Sequence, residues 1–68
     1  MNITEFELEL MMSILNTVNL RHKLFDGEKK QILKNQELIM LSSLNSIIPN
    51  NRFIAFLERY KMEVNRID

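Results

Sequence analysis

Few side chains in this sequence could do acid–base or covalent chemistry, and their spacing limits what each could do. His22 is the only histidine, the one side-chain type used as an acid–base group near neutral pH. Projected on a helix, it falls on a broad apolar face near that helix's C-terminal end, where the dipole favours a protonated imidazole. A hydrogen-bonded core or boundary histidine is the expected role. Glu5, Glu7 and Glu9 alternate along the chain, a spacing that sends Glu7 to a different side of a helix from Glu5 and Glu9. No serine or threonine is placed by sequence against His22 and a carboxylate, and there is no glycine-rich phosphate loop. With no cysteine, disulfides and thiolate metal sites drop out, and one histidine cannot build a metal cage of its own kind. The expectation is a protein that is not an enzyme and uses no cofactor, metal or small-molecule ligand.

The basic stretch EKKQILKNQ holds a different chemistry. Lys29, Lys30, Lys34 and Asn35 sit near a helix start, where recognition helices place phosphate-contacting and base-reading groups. They are the candidate nucleic-acid contacts of the segment 29–35. Against that role, nine basic and nine acidic residues cancel over the 68 residues, with a pI near 6.6, so nothing draws the whole chain toward a polyanion. Most such charge runs are solvated faces, and nucleic acid is the weaker expectation. The amino terminus MNITEFELEL is acidic and lacks the apolar run of a signal peptide, and no apolar run is long enough to span a membrane. A cytoplasmic protein without membrane contact is expected.

The elements that must position these groups are helices. The chain holds one glycine and one proline, with 46% hydrophobic residues, which argues against sheets and flexible linkers. Residues 1–68 are expected to form a single helical domain. Thr4 and Glu7 fit a capping box, and Ile3 and Leu8 bracket it as a hydrophobic staple, so the first helix is read from about Glu5 to Leu24. The pair Asp26-Gly27 closes it. A second helix is read from about Glu28 to Ser46 or Ile47, because Pro49 pushes Ile48 out of the α region. Asn50 or Asn51 is the expected N-cap of a third, reaching about Asn65.

Projected at about 100° per residue, the third helix has one narrow stripe of Phe53, Phe56, Leu57, Tyr60, Val64 and Ile67. Leu33, Met40, Leu41, Leu44, Ile47 and Ile48 form the main face of the second. Glu37 projects into the middle of that face, where a charge needs a partner such as Arg21 or Lys23. The simpler expectation is that packing ends before Glu37. The first helix buries two sides: Leu8, Met11, Met12, Ile14, Leu15, Val18 and Phe25 on one, and Phe6, Leu10, Leu20 and Leu24 on another. Ile32 and Ile39 likewise stand on a second side of the second helix. Phe6, Leu10, Leu20, Leu24, Ile32 and Ile39 together exceed what so small a monomer should leave half exposed, and they are the candidate protein interface.

Two short resemblances point to small helical regulators. Residues NQELI at 35–39 resemble the Ser-Gln-x-x-Asp motif of helical-hairpin phosphatases that act on response regulators. Asn35 and Ile39 stand where that family has its serine and acidic residue, so the activity does not carry over. The segments TEFELELMM at 4–12 and LERYKME at 57–63 are similar to the ends of a small dimeric antirepressor. The expected fold is an all-α bundle of three helices, long, long and shorter, forming a homodimer. The expected function is regulation by protein–protein binding, as an inhibitor, antirepressor or adaptor of the kind a phage or mobile element encodes. A small dimeric DNA-binding regulator using 29–35 is the alternative.

Overall fold

The computed structural model describes residues 3–25 and 27–66, without the side chain of Ile3. Three helices account for nearly all of them: α1 (Ile3–His22), α2 (Gly27–Ile47) and α3 (Asn50–Val64). No strand occurs among the described residues. The long, long, shorter order follows from where the breakers stand, since the loop before Gly27 and the break at Ile48-Pro49 are the two places where helical hydrogen bonding stops.

α1 and α2 make the principal hairpin, and α3 returns alongside α1 in the same direction. Cross-links at both ends fix that direction: Arg52 near the start of α3 pairs with Glu7 near the start of α1, and His22 at the end of α1 reaches the carbonyl of Glu63. The core lies where the three helices meet. Ile14 from α1, Leu41 and Leu44 from α2, Ile48 from the following turn and Phe56 from α3 are buried, with Leu10, Met11, Leu15, Met40, Phe53, Leu57 and Tyr60 packed around them. Val18 is also fully buried. The stripe predicted for α3 and most of the main face predicted for α2 are therefore inside; Ile67 lies outside the described residues.

Local signals translated less evenly. α1 begins at Ile3, so Thr4 is already helical and exposed. Its predicted capping partner Glu7 is buried and spends its carboxylate on Arg52 instead. A cross-helix ion pair has displaced a local cap. The staple rests on the side chain of Ile3 and Asp26 belongs to the predicted turn pair; both lie outside what is described. Gly27 is the first residue of α2, so it opens the second helix instead of closing the first. The chain leaves α1 through tighter i→i+3 bonds, Lys23 N to Leu20 O at 3.1 Å and Leu24 N to Arg21 O at 3.2 Å. That early end strands Phe25, which is fully exposed and not on the buried face of α1. Leu8 and Met12 are exposed too, which narrows that face. At the last turn Pro49 occupies the cap position in an extended conformation, and its carbonyl accepts from Arg52 N at 3.1 Å and Phe53 N at 3.0 Å. Asn50 is the first residue of α3, and α3 has no side-chain cap.

Candidate functional site

Two features stand out against the small core: a buried charge and an open apolar face. Glu37 is 0% exposed in the middle of the bundle. Arg21 donates to it twice, Nε to Oε2 at 2.7 Å and Nη2 to Oε1 at 3.0 Å. Tyr60 Oη donates to Oε1 at 2.8 Å. Each helix thus supplies one member, and the bidentate guanidinium fixes the rotation of α1 against α2. The carboxylate lies inside the packed region, and Arg21, not Lys23, is its partner. No buried side-chain nitrogen or oxygen among the described residues lacks a hydrogen bond. The cluster is spent on holding the fold, because all three of its groups face one another.

The environment shows in the acid–base properties. Burial, then the hydrogen bond to Glu37 and its charge, push the Tyr60 phenol up to about 12. The hydrogen bond to Glu37 likewise raises Arg21 above its ordinary value, against the opposing effect of burial. The native state therefore holds the Tyr60 proton more tightly than the unfolded chain, whose phenol titrates near 10. Its contribution to stability is complete below pH 10 and is lost as the pH rises toward 12. In urea titrations at a series of pH values, the unfolding midpoint of the wild type should fall through that window. Tyr60→Phe should start about 1.5–3 kcal/mol lower, the worth of a hydrogen bond to a charged acceptor, and fall less steeply. Parallel curves for the two proteins would show that another group governs the alkaline limb.

His22 is half buried at the end of α1, with Nε2 at 2.8 Å from the carbonyl oxygen of Glu63. The ring nitrogen donates, which satisfies a carbonyl in the last turn of α3. This is the boundary role read from the sequence. Arg66 Nη2 donates to Asn19 Oδ1 at 3.1 Å beside it. No group of three or more metal-binding side chains occurs among the described residues.

The open face lies on the far side of the α1–α2 hairpin from α3. Phe6, Leu20, Ile32 and Ile39 are roughly half exposed or more, reaching 67% at Ile39, while Leu10 and Leu24 are half buried. Leu10 also packs against the core. At the loop end the face deepens into a groove of about 270 Å³ lined by Leu20, Leu24, Lys29, Ile32 and Leu33. Three of the six predicted interface residues thus meet in one groove, while Ile39 and Phe6 lie further along the hairpin. Toward the middle the surface is small and self-satisfied. Thr17 Oγ1 donates to Ser13 O at 2.8 Å, and Ser43 Oγ donates to Ile39 O at 3.1 Å.

The basic segment is less concentrated. Lys29 lines the apolar groove, whereas Lys30 and Lys34 project about 100° and 140° away from Lys29 on α2. Asn35 accepts from Gln31 Nε2 at 3.0 Å. All four candidate nucleic-acid residues are exposed, but Lys29 is separated from the other two lysines. Sequence reasoning passed over Leu33 and Lys29 as groove residues, because the groove exists only where the end of α1 meets the start of α2. No described helix is long and apolar enough to cross a membrane. Comparison with protein-family models, with curated proteins and with solved structures finds no match.

Proposed function

We propose that this chain is a small non-enzymatic regulatory protein that acts by binding another protein through the open face of the α1–α2 hairpin, as an inhibitor, antirepressor or adaptor. The observation that carries the reading is the groove of Leu20, Leu24, Lys29, Ile32 and Leu33, continued by the exposed Ile39 and Phe6. An apolar groove left open on the surface marks an interaction site. Its shape, a trough between two antiparallel helices, suits a further helix laid into it. The titratable groups that could have served catalysis support the reading from the other side, since Glu37, Arg21, Tyr60, His22 and Glu7 are engaged across helices.

The rival reading is a small DNA-binding regulator in which the exposed Lys29, Lys30, Lys34 and Asn35 near the start of α2 meet phosphate and bases. One experiment separates the two. The wild type and the Ile32→Gln/Ile39→Gln variant are used as baits in the native host, with duplex binding measured in parallel at low and high salt. A protein held by the wild type and lost by the variant, with no duplex binding, is the expected result. Duplex binding that falls steeply with salt and is lost in Lys30→Glu/Lys34→Glu would replace the proposal by its rival.

A further inference from the structure

The open face has an internal symmetry that identifies an occupant. Along α1 its residues are Phe6, Leu10, Ser13, Thr17 and Leu20, with Leu24 in the turn that follows. Positions 6 and 24, 10 and 20, and 13 and 17 are each centred on 15, so large apolar residues stand at both ends and small hydroxylated ones in the middle. The flank repeats the pattern in charge: Glu5 and Glu9 near the start, Asn16 at the centre and Lys23 just past the end. We infer that a second copy of this chain packs on the face with the two α1 helices antiparallel, crossing between Ser13 and Thr17. This rests on the proposed function in taking the face to be a protein-binding one, and it makes any host partner compete with the second copy for that face.

Antiparallel helices related by a two-fold axis bring the same flank of each to the same edge. Leu10 then meets Leu20 of the second copy, Phe6 faces the turn that carries Leu24, and the small Ser13 and Thr17 let the helices approach closely where they cross. Lys23 of the second copy comes level with position 7, between Glu5 and Glu9. A parallel two-fold arrangement would carry this flank to opposite edges of the pair, where Lys23 does not meet the two glutamates. Ile32 and Ile39 of α2 flank the seam, which makes the contact a hairpin on a hairpin, the packing of a four-helix bundle. Such an isologous patch closes on itself and leaves no open end.

The absence of cysteine makes the register directly testable. At a rise of about 1.5 Å per residue, positions 10 and 20 of opposite chains lie level, whereas 20 and its own copy are about 15 Å apart, beyond the reach of a disulfide. Mixing Leu10→Cys with Leu20→Cys under mild oxidation should yield the mixed disulfide dimer, and neither variant alone should cross-link. Ser13→Arg, at an exposed position, should keep its helical circular dichroism. It should weaken self-association in sedimentation equilibrium by about 5- to 150-fold, the range that overpacking produces. Wild type that sediments as a monomer at its highest soluble concentration overturns the inference, and so does Leu20→Cys that cross-links with itself. A monomer that still retains a host protein through Ile32 and Ile39 would sink the second copy while leaving the proposed function standing.

Discussion

Arg21→Ala should lower the melting temperature of this chain by at least about 12 °C, followed by the helical circular dichroism on heating. The reason is the position of Glu37, 0% exposed and held by Arg21 at 2.7 and 3.0 Å. Removing one member of a buried ion pair costs about 3–5 kcal/mol, because the remaining charge stays buried without its partner. Tyr60 would still donate one hydrogen bond to the carboxylate, which cannot replace a formal charge. A chain of this length has a total stability of roughly 3–10 kcal/mol, so the loss consumes about three tenths of it at the least and all of it at the low end. The informative control replaces all three members with apolar residues, Arg21→Met, Glu37→Leu and Tyr60→Phe. That protein should melt at or above the wild-type temperature, since well-packed apolar substitutes for a buried pair are often neutral or stabilising. Arg21→Ala melting within a few degrees of the wild type would mean that water reaches Glu37 and that the pair does little for the fold.

Glu37 also marks where the sequence could be read and where it could not. Helix order and lengths were legible because a single glycine and a single proline leave few places to stop, and periodicity assigned the core of α3 residue by residue. Ionic partners were only half legible. The projection placed Glu37 among apolar residues and offered Arg21, yet it could not say whether packing extends that far, since this depends on where α3 returns. Glu7 shows the opposite failure: a fitting local motif lost to Arg52, a residue 45 positions later. Phe25 was misplaced because helix projection assumes a helix, and α1 stops at His22. The groove needed two elements at once, with Leu20 and Leu24 from one and Lys29, Ile32 and Leu33 from the other. Leu20, Leu24 and Ile32 were visible as second apolar sides, whereas their meeting with Lys29 and Leu33 is a tertiary fact.

The run Leu38–Leu41 carries the second large effect, because it holds core and surplus side by side. Leu41 is buried and Leu44, one turn on, is 0% exposed, while Ile39 is 67% and Leu38 51% exposed. Leu44→Ala should therefore cost about 2–5 kcal/mol, the transfer of the lost methyl groups plus the cavity they leave among Ile14, Leu41, Ile48 and Phe56. In a domain this small that lowers the melting temperature by at least about 8 °C. Ile32→Gln/Ile39→Gln removes comparable apolar volume from the open side, and exposed substitutions stay within about 0.5 kcal/mol each. Glutamine is also no worse a helix former than isoleucine. Thermal melts at low protein concentration, where any association is diluted out, should thus separate the two variants cleanly. Should the double variant melt alongside Leu44→Ala under those conditions, Ile32 and Ile39 stabilise the single chain directly. The open face would then be an extension of the core, and the apolar surplus would need no partner to explain it.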